Sequence, residues 1–150
     1  MGNERLFQSL HHISIVVEDL DRSVAYYQSM GVGPWHDFPS LEPFTHELSG
    51  VEKPELLNSR YKYTTMGDVQ LHLCQPAEGD SPQRRFLTEH GEAVFNLSFS
   101  VPDVNIADAT AAEQGLAVLL RGRTVEGKGF TYFDTRTQGA GVVLQVRSAS

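Results

Sequence analysis

The chain is written twice. Residues 12–32, "HISIVVEDLDRSVAYYQSMGV", and residues 96–116, "NLSFSVPDVNIADATAAEQGL", run in step at an offset of 84 residues (96 minus 12) without a gap. Ser14 stands over Ser98, Val17 over Val101, Asp19 over Asp103, Ala25 over Ala109 and Gly31 over Gly115. Self-similarity on this scale calls for a fold made from two copies of one unit. Each copy reads as an alternating strand, an acidic turn, a helix and a terminating glycine. Asp19 or Asp21 is placed to cap the first helix, and Asp103 or Asn105 the second. Gly31 and Gly115 fall where a helix ends in a left-handed residue.

The far ends of the halves also correspond, with "VQLHL" (69–73) over "VVLQV" (142–146). Each half has room for two more strands before its last one. They are expected at about 34–39 and 59–66 in the first half, and about 117–122 and 129–134 in the second. Each half is then β-α-β-β-β. The chain is expected to be one domain, with module one at about 10–75, a connector at 76–92 and module two at about 93–148. The connector is expected to hold a short helix around 83–90. The loop 40–58 carries Leu41, Phe44, Leu48, Val51, Leu56 and Leu57. A long loop that apolar reads as a lid or wall.

Composition narrows the function classes. A formal net charge of -7 disfavours a nucleic-acid partner, because the phosphate backbone is repelled. No apolar run approaches the roughly 20 residues of a membrane span. The first ten residues lack the apolar centre of a secretory leader. Gly2 follows Met1, but Leu6 stands where a myristoylation signal needs Ser or Thr. The expected location is the cytoplasm. The single cysteine, Cys74, rules out an internal disulfide and a cysteine-based zinc cluster.

Strand parity then sorts the side chains. Ile13, Ile15 and Val17 oppose His12, Ser14 and Val16. Val69, Leu71 and Leu73 oppose Gln70, His72 and Cys74. Phe95, Leu97, Phe99 and Val101 oppose Asn96, Ser98 and Ser100. Val142, Leu144 and Val146 oppose Val143, Gln145 and Arg147. One face of each strand is apolar and suits a covering helix. The other offers His12, His72, Asn96 or Gln145. A lone imidazole on a strand is ordinarily a hydrogen-bonded core residue. Two at repeat-defined strand centres are placed to face one cavity.

These segments resemble a known family. "HHISIVVEDLDRSVAYYQSMGVGPWHDF" is similar to the opening of the vicinal oxygen chelate superfamily, in its glyoxalase and methylmalonyl-CoA-epimerase-like branch. "VQLHLCQP", "FNLSFSVPDV" and "GVVLQV" fall where that branch has its other strand signatures, so the resemblance spans about 12–147. It implies an α+β fold: two βαβββ modules forming a U-shaped, half-open mixed β-barrel with flanking helices. It implies a small-molecule substrate, a homodimer, and a divalent metal held by one ligand from each of four strands.

Carried over by position, the ligand candidates are His12, His72, Asn96 and Gln145, with His12, His72 and Gln145 the metal set. Relatives place carboxylates among these positions, and this chain has none. Two imidazoles and neutral amides suit Zn²⁺, Fe²⁺, Co²⁺ or Ni²⁺ rather than Mg²⁺ or Ca²⁺. A metal-free histidine pair is the alternative. Gln145 cannot accept a proton near neutral pH. An acid or base must therefore come from His12, His72, Tyr61, or the loop residues His36, His46 and Glu47.

Trp35, Phe38, Phe44, Tyr61, Tyr63, Phe130, Tyr132 and Phe133 are the aromatic candidates, for a substrate pocket or for plain core. Of these, Trp35, Tyr63, Phe130 and Tyr132, together with Asn96 and Gln145, form the expected substrate-binding set. "GRTVEGKGF" reads as a hairpin turn. Arg84 and Arg85 read as solvated, so a CoA thioester finds no support, and Cys74 reads as a small buried filler. The leading expectation is an isomerase or lyase that moves a proton next to a carbonyl of an oxygenated, aromatic or polyketide-like substrate. His72, His12 and Tyr61 are its catalytic candidates. A non-catalytic drug- or toxin-binding protein is the second reading, and an Fe(II) dioxygenase the third.

Overall fold

The computed structural model describes residues 5–149, so the reading at Gly2 lies outside the described residues. The first module holds β1 (Leu10–Val16), α1 (Leu20–Ser29), β2 (His36–Asp37), β3 (Glu47–Ser49), α2 (Lys53–Asn58), β4 (Arg60–Met66) and β5 (Val69–Gln75). The connector carries α3 (Pro82–His90). The second module holds β6 (Ala93–Val101), α4 (Val104–Glu113), β7 (Val118–Arg123), β8 (Gly129–Phe133) and β9 (Val143–Ser148). Asp19 caps α1 by accepting from the Arg22 amide, and Asp103 caps α4 by accepting from Asn105 and Ile106. Gly31 and Gly115 take φ of 86° and 82° behind them. Among the described residues no helix is long and apolar enough to cross a membrane.

All nine strands form one sheet, in the order β2-β4-β5-β1-β6-β9-β8-β7-β3. Without β3 that order is symmetric: β2-β4-β5-β1 in one module mirrors β7-β8-β9-β6 in the other. β1 and β6 meet antiparallel at the centre, with Ile13 opposite Leu97. Those are residues that the repeat offset equates, so the pseudo-two-fold passes through that pair. Ser14 pairs with His72 in one half, and Ser98 with Gln145 in the other. Tyr63 lies across from His72, and Tyr132 across from Gln145. The two α+β modules thus form the U-shaped, half-open sheet that the family resemblance implies.

The helices cover the convex face. Leu20 and Val24 of α1 pack with Val17 and Leu73, while Val104, Ala107 and Ala111 of α4 pack with Val101, Phe133 and Val146. A third cluster plugs one end of the concave side: Val16, Cys74, Phe86, Leu87, Phe95 and Val143. Cys74 is a buried filler there, its thiol pushed up to about 12 by burial. Burial of apolar surface at about 25 cal/mol per Å² holds these layers together.

Three sequence expectations need correction, and the open choice for Phe133 between pocket and core is decided. The second strand shrinks from 34–39 to His36–Asp37, because Pro34 and Pro39 lack the N–H a ladder needs. Phe95 does not share the helix-covered face of its strand. The β1–β6 register slips between Ser14 and Ile15, with Asn96 and Val94 as their partners. Phe95 is the extra residue, and this bulge turns it inward, where its ring meets Phe86 at 5.3 Å. Phe133 belongs to the core under α4 and not to a pocket. Arg84 is not solvated: it donates to the Ala77 and Pro76 carbonyls.

The loop 40–58 is a strap. It leaves module one, and β3 pairs antiparallel with β7 of module two, Leu48 opposite Gly122. Gly122 is required there, since a Cβ would sit 2.8 Å from the Phe130 ring. Phe44 lies on Phe130 at 5.4 Å. The opening of the U is therefore bridged by module one's own chain.

Candidate functional site

The strap, β8 and the central strands enclose a cavity of about 260 Å³. His12, Ser14 and His72 come from the middle of the sheet, and Gln145 and Arg147 from β9. Phe38, Leu41, Phe44 and Leu56 contribute the strap side, and Phe130, Tyr132 and Leu120 the wall of module two. Of the predicted site residues, His12, His72, Tyr61, Gln145, Phe130 and Tyr132 meet in this one space.

The others do not. Trp35 packs under α1 with Val17 and Leu20, its indole donating to the Val32 carbonyl. Tyr63 does not line the cavity, but its ring lies 5.7 Å from that of His72. Asn96 is 1% exposed and sits beneath Gln145, donating to its Oε1 at 3.0 Å. His36 and His46 are exposed and outside the lining, and Glu47 is paired with Arg121 at 3.0 Å.

The centre of the site is an imidazole stack. The His12 and His72 rings lie 3.6 Å apart and only 4° from parallel. Gln70 Oε1 is 2.8 Å from His72 Nε2. An amide oxygen only accepts, so His72 Nε2 carries the proton and Nδ1 keeps the lone pair. His11 Nδ1 lies 2.8 Å from His12 Nδ1, so one of those two nitrogens donates to the other. Burial, then His11, then Arg147 hold His72 down at about 3. His12 is pushed lower still, chiefly by its burial. Stacking at this distance needs neutral rings, and the surroundings enforce that.

Sequence parity missed His11, which alternation assigns to the convex face. The β1–β6 register slips between Leu10 and His12, so His11 is a bulge residue and turns towards His12. Its pKa falls to about 4, through burial first and Arg147 second. Arg147 was read only as one more residue on its strand face, and Gln83 was missed because it comes from the connector helix. Tyr132 is held to Gln145 and Gln83 by hydrogen bonds, and burial raises its pKa. Burial likewise raises that of Tyr61, which is hydrogen-bonded to Cys74. Both phenols are therefore donors rather than bases at any ordinary pH.

The metal expected from the family resemblance can be tested against this geometry. His11, His12 and His72 bring three nitrogens within 4.8 Å of one another. Lone pairs lie in the ring plane, however, and the parallel His12 and His72 rings cannot both aim at one ion. Among the described residues no carboxylate lines the cavity. Gln145 spends its amide oxygen on Asn96. The Arg147 guanidinium stands near enough to all three histidines to depress their pKa. The residues present do not fit a divalent cation.

Comparison with known proteins agrees with this architecture. A methylmalonyl-CoA epimerase of Streptomyces coelicolor, a variant in complex with 2-nitronate-propionyl-CoA, superposes with a TM-score of 0.70 at 24% identity. The match covers 96% of this chain and 99% of that one. The methylmalonyl-CoA epimerase of Mycobacterium tuberculosis gives 0.68 at 18% identity, over 99% of this chain and 95% of its own. A hypothetical protein of Bacillus halodurans gives 0.67 at 17%, over 95% and 94%. At these identities the likeness establishes the fold. No curated protein matches the sequence. The sequence model described as "Glyoxalase/Bleomycin resistance protein/Dioxygenase superfamily" matches residues 11–133, and the chain, with its paired modules around one cavity, belongs to that superfamily.

Proposed function

We propose that the chain is an enzyme of the isomerase or lyase type that moves a proton next to a carbonyl of an oxygenated small molecule. The observation that carries this reading is the pair of buried, neutral, stacked imidazoles bordering an enclosed cavity. His72 Nδ1 is the proton acceptor, because its Nε2–H is committed to Gln70. His12, stacked on it, is the relay. Tyr132 stays protonated and, accepting from Gln145 and Gln83, keeps its O–H for the oxygen on which charge develops, while Tyr61 spends its own on Cys74. Arg147 supplies positive charge beside the imidazoles. The aromatic walls, Phe38, Phe44 and Phe130, favour an aromatic or polyketide-like substrate. The reading includes a homodimer, which light scattering tests; a monomer mass removes that part.

The test is exchange in D₂O. Aryl ketones and β-keto acids are incubated with the protein, and deuterium at the carbon next to the carbonyl is followed by NMR. Uptake should fall by about 100-fold or more in His72→Gln. Undiminished uptake in both His72→Gln and His12→Gln sinks the assignment. The second reading, a small-molecule binding protein, is favoured by the missing carboxylates and the Asn96–Gln145 bond. Compounds that bind tightly yet never exchange would select it.

A further inference from the structure

The cavity and the chain differ in charge. The chain has a formal net charge of -7, yet among the described residues the only charged side chains lining the cavity are Arg147 and Lys128. Lys128 is exposed, and Arg147 is half-buried. Arg147 stands on β9, opposite Phe130 of β8. Burial lowers the pKa of its guanidinium, and among the described residues no acid offsets this. Arg60, Arg84, Arg85, Arg121, Arg123 and Arg136 each spend N–H groups on carboxylates or carbonyls. Among the described residues Arg147 has no such partner. Five planar donors of one cation are thus left inside an aromatic-walled cavity.

A half-buried guanidinium without a partner is costly, and a planar oxyanion relieves it with paired charge-assisted hydrogen bonds. The histidines beside it supply no negative charge in either protonation state. We propose that Arg147 is the anion-binding group of this cavity and seats a carboxylate, or an oxyanion of similar shape, on an aromatic substrate. The guanidinium lies close enough to His11, His12 and His72 to act on them electrostatically, and so opposes a divalent cation among them. The inference deepens the proposed function by naming the substrate's charge. It rests on that reading only in taking the cavity as the substrate site.

Calorimetry with benzoate and its neutral counterpart benzamide tests this on the wild-type protein. Benzoate should bind about tenfold or more tightly than benzamide, the size of one charge-assisted hydrogen-bonded contact. Arg147→Gln should remove that preference and leave benzamide affinity within about twofold. Equal binding of the two probes to the wild type overturns the proposal without recourse to any variant. So does a benzoate preference that survives in a folded Arg147→Gln. Zinc taken up at one equivalent by the wild type and lost in His12→Gln also overturns it, because the guanidinium would then be repelled from its place. These are binding measurements. A chain that prefers benzoate through Arg147 but exchanges no deuterium fails the proposed function and keeps this inference. Exchange on a neutral ketone with no preference for benzoate does the reverse.

Discussion

At the scale of single residues, the site depends on three histidines that are kept uncharged. The ordinary imidazole value is 6.5, and His72 and His11 fall to about 3 and about 4. A lowered folded-state value means that the unfolded chain binds more protons between that value and 6.5. Stability therefore falls as pH drops through 6.5 towards 3, and is regained as pH rises. At about 1.4 kcal/mol per pKa unit, the buried His72 withdraws on the order of a few kcal/mol over that window. Melting temperature measured from pH 8 to pH 4 should fall steeply below pH 6.5, and less steeply in His72→Gln. A flat wild-type profile would show that the stack tolerates protonation. Parity made His12 and His72 legible in the sequence, because a side-chain period of two needs no tertiary information. It could not reveal His11, since a bulge is set by pairing with a strand some 85 residues away. Arg147 was legible as a position on a face but not as an unpartnered cation, which is a property of its surroundings.

At the scale of elements, the strap decides how closed the cavity is. Gly50 ends β3 with φ of 88°, and a Cβ there would collide with the Leu119 carbonyl of the adjoining chain. Gly50→Ala should cost about 1–2 kcal/mol for the left-handed backbone alone, with the collision added. Limited proteolysis within 40–58 should accelerate in that variant while the rest of the chain stays resistant. Phe44→Ala removes the ring that lies tilted against Phe130 and should weaken binding of aromatic ligands without unfolding the sheet. A second element-level device is Arg123, which is 1% exposed and joins β7 to α4 through Asp108 at 2.6 Å. Arg123→Met leaves Asp108 without that partner, and chemical denaturation should show a loss of about 3–5 kcal/mol. The helices and their caps were readable because caps are local chemistry: an aspartate, then amides two or three residues on. The three-residue β3 was not, because its only reason to exist is an edge strand in the other module.

At the scale of the whole molecule, the repeat predicts two modules, but the contacts predict one cooperative unit. Each module on its own would present half a sheet with its central strand unpaired along one edge. β1 would lose β6, and β3 would lose β7. The connector helix α3 pushes Phe86 against Phe95 of the second module, so the plug of the barrel also belongs to both halves. Unpaired strand edges and uncovered apolar faces carry no compensating interaction in a fragment this small. The fragment 1–92 should therefore lack a cooperative thermal transition by circular dichroism, and so should 93–150. Mixed at equal concentration they should regain strand signal and a single transition, because the interface that β1, β3 and α3 require is then present again. A fragment 1–92 that melts cooperatively alone would mean that the duplication still encodes two separable folding units. In that case the strap and plug would be additions to finished modules rather than parts of their core.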